Sequence, residues 1–237
     1  MNKIAYSIVH YGAPYLKQAV EAIRPQVDKV VILYSPTPSQ GFTTNLVCPD
    51  TEEELKALVG DAEWVKGDWK FEGEHNDAIL NYNQGYDWTI RFDADEIYPE
   101  GSVDYFISEA EKTSFKDFRV PFIHFWRSFE WACFDSQFPI RLLRKTGELT
   151  GWIPDKEEMR VLHLGYAQPT NYILYKMEVQ AHRPEWRKEW LGDIWHPFAK
   201  ADIHPVSYGL WNAEPYDKTK LPEVLKKHPY YEMEKIE

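Results

Sequence analysis

The stretch RFDADE sets two carboxylates, Asp93 and Asp95, one residue apart with Glu96 directly behind them. Acids spaced in this way where a strand ends can both turn toward one hard divalent cation, and such a cation can hold a diphosphate. An isolated Asp-x-Asp is more often a turn or a helix cap, because Asp favours both. Its place in the chain shifts that balance. Residues 87–92 read as a strand, and three strand-like segments with helical crossovers precede them. The pair therefore falls at the C-terminal edge of an α/β sheet, where ligands bind.

The elements that must position these groups follow from apolar periodicity and its breakers. Residues 4–9 read as a buried strand, His10-Tyr11-Gly12 as a loop, and Pro14 as the opening of a helix that runs to residue 24. Residues 28–34 form a second strand, and 35–41 a Pro-bearing loop. Asp50 is placed to cap a helix over 52–59 with Gly60 as its stop, and 62–66 is a third strand. Residues 73–85 read as a helix with Glu74, His75 and Asn76 on its first turn, and 88–92 as the fourth strand. This order predicts an α/β fold with a mostly parallel sheet flanked by helices.

Residues 99–200 have a different texture, rich in aromatics. Residues 118–127 and 138–144 read as strands, 161–164 as a short apolar strand carrying His163, and 171–180 as a helix. Beyond 201 the chain is polar and punctuated by Pro, with one short helix at 222–227. It reads as an irregular C-terminal arm over a single domain spanning 1–200.

Composition bounds the function. Of 237 residues, 43% are hydrophobic and 27% charged, an ordinary globular balance. Aromatics make up 16%, with ten Trp and fifteen Tyr, more than a core of this size needs, so some are expected to face a ligand. Any single one is more simply a core or surface filler. The net charge of −11 disfavours nucleic acid as a partner, although a local basic patch near Arg141, Arg144 and Lys145 is possible. Two cysteines, Cys48 and Cys133, make no disulfide framework and no zinc pattern, which points to the cytoplasm. No stretch approaches the roughly 18 apolar residues of a membrane span.

Several chemistries lack their residues. No GxGxxG follows the first strand, and no GxxxxGK loop, GxSxG elbow or HExxH helix occurs. An EF-hand loop from Asp93 fails where Ile97 and Tyr98 stand.

A parallel-sheet first half ending in Asp-x-Asp, an aromatic second half and a later His on a short strand together resemble the GT-A fold glycosyltransferases, especially family 2-like members. The resemblance covers roughly residues 1–180 and is specific at DADE and VLHLGY. It implies a GT-A-like fold whose Rossmann-like nucleotide-binding half over 1–98 takes a nucleotide-sugar donor, a UDP-sugar first among candidates, with Mn²⁺ or Mg²⁺ on the diphosphate. A glycan or other hydroxyl acceptor would bind in the second half. It also implies Asp93 and Asp95 as metal ligands, Asp93 reaching the ribose or acting through water, with His163 as the last ligand. A lone His on an apolar strand is more often a core residue, but Gly165 beside it permits close approach. Val9, Tyr11, Tyr34 and Ser35 match the ends of the family's first two strands, on the nucleotide side. Asn76 matches a polar donor-side position, with helix capping the plainer role. Lys176 matches a cation near the diphosphate, against the plainer reading of a solvated helix lysine. Glu96 is left to sugar hydroxyls or to a capping role.

An inverting transferase needs a general base for the acceptor hydroxyl. The resemblance directs attention to the loop before the His163 strand, where Asp155 comes first, with Asp135 and Glu157 behind it. Each is more simply a surface acid. Two other classes stand beside this expectation: a non-catalytic nucleotide- or carbohydrate-binding protein on a degenerate transferase fold, and a sugar nucleotidyltransferase. The last usually opens with a Gly-rich, Lys- or Arg-bearing loop that HYGAP matches poorly.

Overall fold

The computed structural model describes residues 1–38, 42–134, 138–180 and 182–237. A seven-stranded sheet forms its centre. Strands β1 (Lys3–Val9), β2 (Lys29–Tyr34), β3 (Glu63–Lys66) and β4 (Trp88–Arg91) lie parallel in the order β3-β2-β1-β4. Their crossovers carry helices α1 (Ala13–Ile23), α2 (Glu52–Leu58) and α3 (Glu72–Ile79). This is the mostly parallel, helix-flanked half that the apolar periodicity predicts.

Local chemistry sets the helix ends. Pro14 starts α1, which buries Tyr15, Leu16, Ala19, Val20 and Ile23 on one face, and Pro25 follows its end. The cap of α2 is Thr51, in a reciprocal box with Glu54, and Gly60 ends it at φ +62°. Asp50, expected as that cap, instead accepts hydrogen bonds from the Gly12 and Ala13 N–H groups at 2.7 and 3.0 Å. It caps α1, a contact between segments 38 residues apart that no local signal carries. Helix α3 stops at Ile79, six residues before the expected end at 85. The Asn81-Tyr82-Asn83 run turns the chain there, as Asn favours.

The second half departs further from expectation. After β5 (Glu96–Ile97) and α4 (Ser102–Ala110), the stretch expected as one strand over 118–127 divides into β6 (Asp117–Arg119) and β7 (Phe122–Trp126). Pro121 has no N–H to continue a ladder, so the chain leaves one sheet and enters another. After β8 (Trp131–Phe134), β9 (Ile140–Arg144) inserts antiparallel between β4 and β6, and β10 (Thr150–Trp152) closes the edge. A second sheet takes the order β12-β8-β7-β11-β5, with β11 (Val161–Tyr166) and β12 (Glu214–Pro215). Helices α5 (Thr170–Val179) and α6 (Glu223–Lys226) complete the chain.

The main core packs α1, α2 and α4 on one face of the large sheet. Much of the aromatic surplus is a second core instead of a ligand wall: Trp126, Trp190 and Trp195 are fully buried against Tyr166 and Ile173. The arm after 201 packs down through Leu221, Leu225 and Ile236, all buried in the main core. Among the described residues, no helix is long and apolar enough to cross a membrane.

One close approach links the loops that follow β1 and β4. Gly12 has φ +138°, and a Cβ there would lie 2.5 Å from the Cβ of Ala94. Gly12→Ala should therefore cost roughly 1–3 kcal/mol of stability in urea unfolding, through strain and overpacking. An unchanged midpoint would mean that the two loops tolerate separation.

Candidate functional site

Strand β4 ends where Phe92 donates its N–H to the Tyr6 carbonyl at 2.9 Å, and the chain then turns. The Glu96 N–H donates to the Asp93 carbonyl at 3.0 Å, while Glu96 Oε2 accepts the Asp93 N–H at 3.1 Å. Glu96 is only 1% exposed. Its partner is Arg141 on the neighbouring β9, whose Nε lies 2.9 Å from Oε2 and whose Nη2 lies 2.6 Å from Oε1. The same Nη2 donates to Asp93 Oδ2 at 2.7 Å. Burial pushes the Glu96 carboxyl up and Arg141 opposes it; the short bidentate contacts are those of an ionised carboxylate. Burial also works against charge on Asp93, but Arg141 and then Arg91 hold it well below the usual carboxylate range. Glu96 is thus a buried anchor, away from sugar hydroxyls and helix caps, and Asp93 is committed to an arginine.

Asp95, two residues on, points the other way. Its carbonyl accepts the Leu164 N–H at 2.8 Å, which fastens the turn to β11. Its carboxylate accepts from the Gln168 amide at 3.0 Å and lies 3.7 Å from the Lys176 ammonium and 3.8 Å from His163 Nε2. Burial raises the Asp95 carboxyl, against the pull of Lys176. Gly165 makes this crowding possible, since a Cβ there would lie 2.5 Å from His163 Nε2 and 2.8 Å from Lys176 Nζ.

His163 stands in register with His124 on parallel β7, and the two Nδ1 atoms meet at 2.8 Å. Burial and then Lys176 draw His163 down to about 3, and burial and then His163 draw His124 well below its ordinary value. Both rings are therefore neutral at pH 7, one donating and the other accepting. Trp211, from the arm, stacks on His124 at 4.5 Å.

The loop after β1 forms the facing wall. His10 bridges the Ser35 carbonyl at 2.9 Å and the Tyr175 hydroxyl at 2.7 Å. Asp50 occupies the N-terminus of α1 and also accepts from the Tyr172 hydroxyl. That helix end, a common phosphate seat, is already filled by a carboxylate. A cleft of about 350 Å³ remains between these walls. Tyr11, Asp93, Asp95, His163 and Lys176 all line it, so five of the expected site residues converge.

The others stand elsewhere. Val9 is in the core, and Tyr34 stacks on Trp64 at 5.1 Å. Ser35 is fully buried and donates to the Trp69 carbonyl at 3.1 Å. His75 is buried beside Trp69, and Asn76 accepts from the Tyr6 hydroxyl at 3.0 Å on the opposite face of the sheet. Asp155 is held bidentately by Arg160 at 2.7 and 2.6 Å and its carboxyl is lowered by that contact. Glu157 pairs with Lys220 at 3.1 Å. Neither acid lines the cleft, and Asp135 lies outside the described residues. Arg91, Arg141, Gln168, His10 and His124 are site residues that local pattern does not single out. An arginine inside the apolar strand IRLLR was the one available signal, because a charge there needs a buried partner.

Among the described residues, no group of three or more His, Cys, Asp or Glu side chains is disposed as metal ligands. Asp93 lines the cleft but accepts from Arg141. Asp95 and His163 alone present a hard oxygen and a neutral imidazole to one point.

No protein-family model matches the chain, and no curated protein matches it. Among solved structures, that of a 4-diphosphocytidyl-2C-methyl-D-erythritol synthase is similar over 76% of this chain and 100% of that chain, at 12% identity and a TM-score of 0.43.

Two stability measurements examine the site. Arg141→Met strands Glu96 and Asp93 without their cation and should cost about 3–5 kcal/mol. Adding Glu96→Gln should recover part of that loss, and full additivity in urea unfolding would contradict the pairing. For His163, the folded ring sits at about 3 while the unfolded ring keeps 6.5. Below 6.5 the unfolded chain takes up a proton that the native ring refuses, so stability present above 6.5 is lost as pH falls toward 3. In metal-free buffer His163 should account for roughly 2 kcal/mol lost by about pH 5, and His163→Asn should flatten the slope.

Proposed function

We propose that this chain is a metal-dependent glycosyltransferase, moving a sugar from a nucleotide-sugar, a UDP-sugar first among candidates, to an acceptor hydroxyl. The observation that supports this reading is the gathering of Asp95, His163 and Lys176 in one cleft at the C-terminal edge of the parallel strands. The resemblance of DADE and VLHLGY points the same way.

The donor set suits a divalent ion of modest protein coordination. Mg²⁺-like ions commonly take only one or two ligands from the protein and the rest from phosphate and water. Asp95 and His163 would hold the ion directly, with Asp93 behind them on Arg141. A bound Mn²⁺ or Mg²⁺ supplies positive charge that offsets the negative charge gathering on the diphosphate as the anomeric C–O bond breaks. For Nε2 to present its lone pair, His163 donates its Nδ1–H to His124, which sets tautomer and ring orientation. Lys176 adds a second cation beside the diphosphate. His10, held by Ser35 and Tyr175, and Tyr11 offer the walls for the nucleoside, in place of the buried Val9, Tyr34 and Ser35.

A sugar nucleotidyltransferase would use a similar cleft but attack the α-phosphate of a nucleoside triphosphate. The loop after β1 carries no cation for that triphosphate, and its helix end is occupied by Asp50. Incubation with nucleotide-sugars and Mn²⁺ should release nucleoside diphosphate. Pyrophosphate release from triphosphates with a sugar phosphate would instead assign the nucleotidyltransferase, and neither product would leave a binding protein.

Asp95→Asn removes a hard ligand and should lower nucleoside diphosphate release about 100-fold or more at an unchanged melting temperature. It should also abolish the Mn²⁺-dependent thermal shift by nucleoside diphosphate. Normal turnover of this variant in EDTA would overturn the metal assignment.

A further inference from the structure

The face of the large sheet opposite α1 is only half covered. Over β1 and β2, α3 packs Ile79 against Ile4, Tyr6, Val31 and Leu33. Beyond them, Thr89 on β4, Leu143 on β9 and Asp117 on β6 stand side by side in register on the same face. Helix α3 walls one side of the space they floor, leaving a groove of about 640 Å³.

Its lining has two characters. Ile140, Leu143 and the half-exposed Leu80 are apolar, while Asn76, Asn83, Thr89 and Asp117 bring amide, hydroxyl and carboxylate groups to the same space. An apolar floor with a few polar groups is how proteins hold small polar ligands, and alternating C–H and hydroxyl surfaces of a sugar suit it. Asp117 lines the same space, which puts a carboxylate acceptor within its wall.

Charge narrows the ligand. The chain carries 38 acidic residues against 27 Lys and Arg, yet Asp117 is the one acid lining the groove, against Arg91, Lys116 and Lys145. Lys116 and Lys145 are exposed and bear no ion pair among the described residues. The Arg144 guanidinium lies over Trp88 and Phe118 and donates to the Thr113 carbonyl, so it belongs to the other face.

The groove also leads to the cleft. Arg91 lines both, and it sits 3.6 Å from Asp93. From Arg91 to the level of Lys145 is about four strand residues, or about 13 Å, room for a short chain of sugars.

We propose, resting on the glycosyltransferase reading, that this groove binds the acceptor, and that the acceptor is an acidic glycan. Its reacting end lies by Arg91, its hydroxyls meet Asn76, Asn83, Thr89 and Asp117, and its carboxylates meet Lys116 and Lys145. The lysines act as point charges, so binding weakens with salt.

The test is calorimetric titration of the whole chain, without nucleotide, with a short oligogalacturonate and a malto-oligosaccharide of equal length. The oligogalacturonate should bind at least about tenfold more tightly. Lys116→Glu with Lys145→Glu should weaken it by about tenfold or more at an unchanged melting temperature, and Lys145→Ala by a smaller factor. Equal binding of both sugars, binding unchanged by charge reversal, or no binding of either sugar would each overturn the proposal. The nucleoside diphosphate thermal shift, read on the same variants, should stay as in the wild type. Loss of that shift in the wild-type chain itself would count against the transferase reading alone, since oligogalacturonate binding is measured without nucleotide.

Discussion

The candidate site is organised around one guanidinium. Arg141 enters from β9 and finds Glu96 and Asp93 at 2.6 and 2.7 Å from its Nη2, in surroundings from which water is largely excluded. A buried charge of this kind is costly unless its partners are fixed. Here they are consecutive parts of one turn. Glu96 sits in β5, which pairs with β11, and Asp93, though it lines the cleft, has its carboxylate bonded to Arg141. Asp95 is then the carboxylate of the pair without an arginine partner among the described residues, held by Gln168 and near Lys176. The antiparallel insertion of β9 beside β4 is therefore what distinguishes the two aspartates, which the motif presents as equals.

Around that anchor, small residues allow the walls to approach. Ala94 between the aspartates meets Gly12, and Gly165 admits the His163 ring and the Lys176 ammonium at distances no Cβ would permit. The cost of this crowding is electrostatic as well as steric. Asp95, His163 and Lys176 share a largely buried space, where the imidazole stays neutral and the carboxylate is supported by Lys176 and Gln168. His124, backed by Trp211 from the arm, completes the second layer. The arm thus contributes to the site through stacking, although it supplies no group to the cleft itself.

The chain's acidity and the groove's basicity belong to the same picture. A surface rich in carboxylates repels acidic ligands in general, so a basic groove beside the cleft concentrates them at one place. Arg91, on β4, lines both the cleft and the groove.

Periodicity and local breakers were enough for the four parallel strands, the first helices and the placing of Asp93 and Asp95 at a strand end, because those signals act within a few residues. His163 and Lys176 were legible through the likeness of short motifs, and the fold brings them together. What the sequence concealed has a common physical cause: each hidden feature is a pairing between distant segments. Asp50 caps a helix 38 residues before it, and Arg141 reaches back 45 residues to Glu96. His124 meets His163 because Pro121 diverts one apparent strand into a second sheet. The sequence by itself determined the parallel half of the sheet and set Asp93 and Asp95 just beyond the end of one of its strands. Only the tertiary structure decided which carboxylate is tied to an arginine, since that cation is supplied by a neighbouring strand.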